Sequence, residues 1–159
     1  GRMQAISLTG APLAVVDYAH TPDALVKALQ ALRPLADVRS GRLWCVFGCG
    51  GDRDRGKRAE MGRVAQQLSD QVLLTSDNPR SEDPMAIVRD IRLGAVDPNK
   101  PVQVQLDRAL AIAQALREAN PQDVVLIAGK GHEIYQEIGQ ERRPYSDIEQ
   151  VHLALREAA

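Results

Sequence analysis

The chain has 159 residues, of which 44% are hydrophobic, 26% charged and 3% aromatic, and this profile indicates one globular domain rather than a disordered or fibrous segment. Its 20 basic and 21 acidic residues give a formal net charge of −1, which argues against a protein that binds nucleic acid through a basic face. No apolar run approaches the roughly 18 residues of a membrane span and no start resembles a signal peptide, so we expect a cytoplasmic protein that binds no membrane. We also expect a monomer.

Apolar runs bounded by turn residues recur along the chain and predict alternating strands and helices. The predicted strands cover residues 13–17, 43–47, 71–75, 102–106 and 123–128. The predicted helices cover residues 22–36, 57–68, 85–93 and 108–119. A hairpin is expected around Gly139, followed by a last helix that opens at Ser146 with a capping-box pattern.

The predicted strands are apolar on both faces and are joined by helices. This pattern indicates an α/β fold with three layers, in which a mainly parallel sheet carries helices on both faces. Ligands of such sheets bind outside the carboxyl ends of the strands. The loops that follow the strands are therefore the places to look for function.

The two cysteines, Cys45 and Cys49, are four residues apart and lack the spacing of a zinc site. In an extended segment their α-carbons would lie roughly 13 Å apart, beyond the roughly 7 Å that a disulfide can span. We expect two reduced, largely structural thiols and no bound metal.

A glycine-rich loop at residues 48–56 follows the second predicted strand. Residues 51–58 approximate a phosphate-binding P-loop, but Arg58 stands where a hydroxyl would bind magnesium. Asp52 and Asp54 would also bring negative charge to where phosphates should rest. The sequence thus argues against a working P-loop, and a small phosphotransferase with a degenerate loop is kept as an alternative.

The segment Asp77-Asn78-Pro79-Arg80 follows the third predicted strand. Pro79 fixes its own φ and restricts Asn78 to extended geometry, so the side chains are held in set directions. The guanidinium of Arg80 can pair with a carboxylate, whereas Asp77 and Asn78 offer acceptors to an ammonium group. A zwitterion would suit this segment, and an Asx-type turn that caps the next helix is an equally supported alternative.

Two further strand ends carry polar side chains. The loop at residues 129–133 combines two glycines with a cation, an imidazole and the carboxylate of Glu133. Glu133 would either hold a ligand ammonium or cap the next segment. Asp17 and His20 end the first predicted strand, where they would face a nucleotide. Helix capping by Asp17 is the alternative, although Thr21 is better placed for that role.

Five segments, taken together and in this order, resemble the Mur ligase family, and most closely the C-terminal domain of the members that add meso-diaminopimelate. They are residues 1–3, 17–23, 48–58, 77–80 and 129–133. The resemblance implies that residues 1–159 are one domain of dinucleotide-binding type, taken from a three-domain ligase whose N-terminal domain and central ATPase domain are absent here.

The resemblance also implies a reaction. In the family, ATP phosphorylates the terminal carboxylate of the substrate, an amine attacks the acyl phosphate, and phosphate leaves. ATP and Mg²⁺ would be bound mostly by the central domain, so this chain alone is expected to be inactive. It would bind meso-diaminopimelate itself and meet ATP and the UDP-N-acetylmuramoyl dipeptide through the missing domains. A stand-alone module that binds a small zwitterion is the alternative.

The resemblance further implies residue roles. The amino-acid pocket would be formed by Arg53, Asp77, Asn78, Pro79, Arg80, Gly129 and Glu133. Arg80 would bind the distal carboxylate of diaminopimelate, the group that lysine lacks. Arg2, Asp17 and His20 would face the nucleotide, and the chain would hold no catalytic residue and no metal ligand.

Overall fold

The computed structural model describes residues 3–158. Its strands are β1 (Gln4–Ile6), β2 (Leu13–Asp17), β3 (Leu43–Phe47), β4 (Gln71–Leu74), β5 (Val102–Val104), β6 (Val124–Ala128), β7 (Tyr135–Ile138) and β8 (Glu141–Pro144). Its helices are α1 (Pro22–Val38), α2 (Gly56–Leu68), α3 (Pro84–Arg92), α4 (Arg108–Glu118) and α5 (Asp147–Ala158). Among these helices, none has the length and apolar composition needed to cross a bilayer.

Six strands form the central sheet in the order β1-β2-β6-β3-β4-β5, and β7 and β8 form a separate hairpin. The pairs within β2-β6-β3-β4-β5 are parallel, whereas β1 is antiparallel to β2. The last residues of adjacent strands pair directly, as Asp17 does with Ala128 and Phe47 with Leu74. The loops after β2, β6, β3 and β4 therefore emerge side by side at one edge of the sheet.

Helices cover both faces of the sheet, which confirms the three-layer prediction. One core forms where α1, α2 and α3 pack on the first face, and a second forms where α4 and α5 pack on the other. Strand alternation divides β3 between them, because Cys45 belongs to the first core while Trp44 and Val46 belong to the second. Both faces of the strand are therefore apolar.

The helix starts follow the polar residues that the sequence places there. The hydroxyl of Thr21 accepts a hydrogen bond from the backbone of Ala24 at 3.2 Å, which confirms its cap on α1. The hydroxyl of Ser146 accepts one from the backbone of Glu149 at 3.2 Å at the start of α5. Local sequence was sufficient to place both helix ends.

Strand β1 was not predicted. It has three residues, and of these only Ile6 is buried, so its sequence carries no period that indicates a strand. Its conformation comes from antiparallel pairing with β2 at the edge of the sheet, a tertiary contact that a local pattern does not show. The predicted strand at 102–106 is also shorter, since β5 ends at Val104.

Both cysteines are free and buried, as expected. Burial raises the pKa of the Cys45 thiol far above its ordinary value and raises the pKa of Cys49 to about 12. The sulfur of Cys49 lies 3.7 Å from that of Met61, inside the first core. The two residues are protonated thiols with a packing role.

Candidate functional site

A cavity of about 460 Å³ opens at the carboxyl edge of the sheet, where the loops after β2, β3, β4 and β6 meet. Six of the residues predicted for the amino-acid pocket line it: Arg53, Asp77, Asn78, Arg80, Gly129 and Glu133. Pro79 is buried behind them and lines a separate cavity on the other side of its loop. The structure thus brings together residues that are up to 80 positions apart in the chain.

The Arg80 side chain is held against the cavity wall, with 21% of its surface exposed. Its Nε donates to Oε2 of Glu137 at 2.8 Å, and its Nη1 donates to the carbonyl of Gly51 at 2.8 Å. A guanidinium has five N–H donors, so the end formed by Nη1 and Nη2 keeps donors for a ligand carboxylate. The side chain does not extend into bulk solvent.

The backbone of Arg80 is in the left-handed region, with a φ of +51°. This conformation is costly for a residue that carries a Cβ. Backbone hydrogen bonds on both sides maintain it, since the Arg80 N–H donates to Glu137 at 3.1 Å and the Gly139 N–H donates to the Arg80 carbonyl at 2.7 Å. A strained residue that lines a polar cavity is typical of a functional position.

The glycine-rich loop packs directly on the loop that carries Arg80. The N–H of Gly51 donates to the carbonyl of Asn78 at 2.8 Å. A Cβ at position 51 would lie 1.9 Å from the carbonyl oxygen of Pro79, so only glycine permits this approach. The glycine here serves contact between two loops rather than contact with a phosphate.

Three N–H groups of this loop are bonded within the protein and are not available to a phosphate. The N–H of Asp52 donates to Glu82 at 2.6 Å, and that of Gly56 donates to Asp54 at 2.8 Å. The Gly51 N–H is also bonded within the protein, so these three groups cannot take part in a phosphate cradle. Within residues 3–158, no three His, Cys, Asp or Glu side chains are placed to hold a metal ion. These contacts argue against the phosphotransferase alternative for this loop, and we assign no step at this site to magnesium.

Arg58, the residue that breaks the P-loop pattern, anchors the loop instead. Its buried guanidinium donates to Glu82 at 2.8 Å, to Asp90 at 3.0 Å and to the carbonyl of Gly50 at 3.0 Å. Hydrogen bonding to Arg58 lowers the pKa of Glu82 to about 2. The arginine therefore ties the glycine-rich loop to the segment that follows Arg80.

Lys130 organises the acidic end of the cavity, a role that the sequence analysis missed. Its side chain is fully buried, and its Nζ lies 2.8 Å from Oδ1 of Asn78, 3.2 Å from Oε1 of Glu133 and 3.3 Å from Oδ1 of Asp77. One cation is thus shared by two carboxylates, and one excess formal negative charge remains. A lysine between two glycines directly after the most apolar strand was the available signal.

The structure corrects the role of Asn78. Its Oδ1 accepts hydrogen bonds from Lys130 at 2.8 Å and from the Glu137 N–H at 2.9 Å. Because a carbonyl oxygen has two lone pairs, the acceptor predicted for a ligand ammonium is already used. The amide nitrogen of Asn78 is the group left for a ligand, as a donor.

The turn that was the alternative explanation for this segment is not what caps the next helix. Asp83 caps α3, where its carboxylate accepts a hydrogen bond from the Met85 N–H at 3.1 Å. Asp77 instead lies beside Gly129, whose φ is +118° and where a Cβ would come within 3.2 Å of Oδ2 of Asp77. Gly129 is therefore needed both for its backbone conformation and for the space that it leaves.

The three residues predicted to face a nucleotide differ in where they lie. Arg2 lies outside the described residues. Asp17 is buried, and its Oδ2 accepts a hydrogen bond from the Ala19 N–H at 2.8 Å, so its carboxylate stabilises its own turn. His20 lines the cavity, and its ring lies edge-on to that of Tyr18 with centroids 4.6 Å apart. Their nucleotide role stays a prediction.

Comparisons with known proteins agree with one another. The family model "Mur ligase, glutamate ligase domain" matches residues 1–131. A UDP-N-acetylmuramoyl-L-alanyl-D-glutamate--2,6-diaminopimelate ligase of Acidovorax sp. (strain JS42) is 58% identical over 155 residues, which cover 98% of this chain and 31% of that protein. The ligase of the same name from Ralstonia nicotianae is 56% identical, over 98% of this chain and 30% of its own length.

Two solved structures are also similar to this chain. A structure of a ligase of that name matches with a TM-score of 0.91 at 46% identity, over 99% of this chain and 31% of the other. A bifunctional folylpolyglutamate synthase/dihydrofolate synthase of Yersinia pestis, complexed with AMPPNP and Mn ion, matches with a TM-score of 0.59 at 26% identity, over 81% of this chain and 28% of the other.

The chain spans about a third of the length of these relatives, 31% in the Acidovorax protein. Within that third, the aligned residues include the whole sheet and the loops at its carboxyl edge. Because the family model matches residues 1–131 and a 58% identical relative aligns with 98% of the chain, the chain belongs to the Mur ligase family and corresponds to its glutamate ligase domain.

Proposed function

We propose that this chain is the C-terminal, amino-acid-binding domain of a three-domain, ATP-dependent ligase that joins meso-diaminopimelate to UDP-N-acetylmuramoyl-L-alanyl-D-glutamate. The names of the relatives that are 56% and 58% identical support this substrate pair. The polar cavity supports the role of the domain. The full-length ligase would act as a monomer in cytoplasmic peptidoglycan precursor synthesis.

The proposed reaction forms an amide bond in two steps. ATP first transfers its terminal phosphoryl group to the terminal carboxylate of the substrate. The amine of diaminopimelate then attacks the carbonyl carbon, a C–N bond forms, the C–O bond to phosphate breaks, and the amine loses a proton. ATP and Mg²⁺ would be held mostly by the central domain. This domain contributes by bringing the amine to the acyl phosphate, and such proximity is worth roughly 7–11 kcal/mol when the geometry is right.

The cavity separates its charges in a way that suits a zwitterion. Asp77 and Glu133 lie at the end organised by Lys130, and their one excess formal negative charge would attract an ammonium group. Arg80 and Arg53 form a second, cationic part of the cavity lining, where a Cβ at Gly50 would be 3.0 Å from Nη1 of Arg80 and 3.8 Å from Cγ of Arg53. A ligand with an ammonium at one end and a carboxylate at the other matches this arrangement.

The observation that carries the proposal is the free end of the Arg80 guanidinium beside the cavity. Its Nε and one donor of Nη1 are bonded to the protein, and the remaining donors suit the two oxygens of a distal carboxylate. Lysine has no such group and would leave these donors unpaired. Since Arg80 is 21% exposed, water compensates in part, and we expect a preference for diaminopimelate of roughly 1–3 kcal/mol.

The test is calorimetric binding of meso-diaminopimelate and of lysine to the full-length protein, before and after the substitution Arg80→Ala. The wild type should prefer diaminopimelate, and the preference should fall by about tenfold or more in the variant because the paired charge is lost.

The control is Arg55→Ala. Arg55 lies on the glycine-rich loop, is 71% exposed and contacts Glu82, and we expect no change in preference. A wild-type preference that survives in Arg80→Ala would contradict the proposed function.

A further inference from the structure

The hairpin of β7 and β8 presents two different faces, because side chains alternate along a strand. Tyr135 lines the cavity, and the carboxylate of Glu137, two residues later, contacts Arg80 on the same side. Between them, Gln136 is buried on the opposite face and donates to the carbonyl of Asp77 at 2.7 Å. One face of the strand therefore meets the side chains of the cavity, and the other fastens the hairpin to the sheet edge.

Three hydrogen bonds connect this hairpin to Arg80. Two are backbone bonds: the Arg80 N–H donates to the carbonyl of Glu137, and the Gly139 N–H donates to the carbonyl of Arg80. The third joins Nε of Arg80 to Oε2 of Glu137 at 2.8 Å. The backbone bonds hold the left-handed conformation, whereas the side-chain bond fixes the direction of the guanidinium.

Both carboxylate oxygens of Glu137 are bonded to cationic side chains of the protein. Its second oxygen, Oε1, accepts a hydrogen bond from Nη2 of Arg142 at 3.0 Å, the residue opposite Glu137 in the hairpin register. The Arg142 guanidinium in turn lies 4.0 Å from the centroid of the Tyr135 ring, a cation–π contact. Hydrogen bonds from Arg142 and Arg80 lower the pKa of Glu137 and keep it ionised. Its effect on a ligand would therefore act through Arg80.

The two protein contacts of Arg80 fix the plane of its guanidinium. Nε is bound to Glu137, and Nη1 is bound to the Gly51 carbonyl on the facing loop. With these two atoms held, the end that carries the free donors is already oriented before a ligand arrives. Such pre-organisation lowers the entropy cost of binding.

We propose that Glu137 is the positioning residue that sets the amino-acid selectivity of this site, because it aims the Arg80 guanidinium at the distal carboxylate of the ligand. This inference rests on the proposed function. The match to the family model ends at residue 131, before β7 begins at Tyr135. The hairpin that supports Arg80 thus follows the part of the chain that the family model matches.

The test is steady-state kinetics of the full-length ligase with meso-diaminopimelate and with lysine, comparing wild type with Glu137→Gln. Glutamine keeps the shape of the side chain but removes its charge. We expect KM for diaminopimelate to rise about tenfold while kcat changes by less than about twofold, because a charge-assisted hydrogen bond outside the reacting atoms is lost. The kcat/KM for lysine should not change.

Two variants complete the test. Glu137→Asp keeps the charge and should restore part of the preference for diaminopimelate, which a loss of folding would not do. Glu141→Gln is the matched control, since Glu141 lies on the same hairpin, is 70% exposed and pairs with Arg143; both kinetic constants should stay at wild-type values.

The outcomes separate the two proposals. If Glu137→Gln keeps the full preference for diaminopimelate while Arg80→Ala loses it, the positioning role is wrong and the proposed function stands. If Glu137→Gln lowers kcat for both amino acids equally, Glu137 has only a structural role and the inference is overturned. If Arg80→Ala itself keeps the preference, the proposed function fails.

Discussion

Two buried cations lie behind the carboxyl edge of the sheet, and their surroundings differ. Arg108, on α4, donates from Nε and Nη2 to the two oxygens of Asp147 at 2.8 Å each, and from Nη1 and Nη2 to the carbonyls of Ser76 and Ala128 at 3.0 Å. The side chains of Arg108 and Asp147 are both 0% exposed. This network is closed, because the guanidinium and the carboxylate meet each other, the backbone and the hydroxyl of Tyr145, which donates to Oδ1 of Asp147 at 2.6 Å, rather than solvent.

Lys130 is equally buried, but its partners line the cavity. The side chains of Asp77 and Glu133 are 12% and 22% exposed, so their remaining lone pairs can reach a ligand. The two networks also hold the same strand ends, since Arg108 binds the carbonyls just before Asp77 and Gly129. A buried charge therefore does not by itself indicate function; the exposure of its partners does.

The largest expected effect is that of Arg108→Met on stability. The substitution leaves Asp147 as a buried carboxylate without its cation, and such a change costs about 3–5 kcal/mol of the free energy of unfolding. Urea denaturation of the 159-residue chain measures it. The double variant Arg108→Met/Asp147→Leu should recover part of the loss because the unpaired charge is gone. A single variant as stable as wild type would show that the network is not closed.

Lys130→Met should cost less stability, about 1–3 kcal/mol, because water in the cavity can solvate Asp77 and Glu133. It should also weaken binding of diaminopimelate and of lysine by similar factors, since both ligands would use this end of the cavity. Urea denaturation measures the change in the free energy of unfolding, and calorimetry measures the affinity for each amino acid, both on the full-length protein. A loss equal to that of Arg108→Met, with ligand binding unchanged, would remove the distinction between the two networks.

The last expected effect is one of pH and concerns a third buried cation, the guanidinium of Arg58, whose partner Glu82 is 12% exposed. Arg58 lowers the pKa of Glu82 from 4.5 to about 2 in the folded chain. A depressed pKa contributes stability that is complete above the unfolded pKa of Glu82 and is lost as the pH falls through the folded one. The difference in unfolding free energy between wild type and Glu82→Gln should therefore shrink between pH 4.5 and pH 2. A constant difference over that range would mean that the carboxylate is not held by Arg58.

The sequence predicted those parts of the site that depend on local chemistry. Strands apolar on both faces, each followed by a polar loop, predict a parallel sheet with a site at its carboxyl edge. The segment at residues 77–80 was recognised because Pro79 restricts its geometry and Arg80 has a guanidinium suited to a carboxylate. These inferences need no knowledge of which loops lie next to each other.

The parts that were missed depend on contacts between distant residues. Lys130 contacts Asp77, which is 53 residues away in the sequence, and Glu137 contacts Arg80, which is 57 residues away. Nothing local to either residue indicates its partner. The acceptor assigned to Asn78 was wrong for the same reason, because Lys130 and the backbone of the hairpin use it. Local patterns identify which groups a site contains, and the fold decides which of their atoms are available.

The alternating faces of β7 restrict how this cavity can be redesigned for another amino acid. Inserting or deleting one residue would exchange the two faces, so that Glu137 would leave Arg80 and the anchor from Gln136 to the Asp77 carbonyl would break. Variants that replace the side chains of Tyr135 or Glu137 keep this register. A library for new amino-acid selectivity should therefore vary residue type at these positions and hold the length of the hairpin constant.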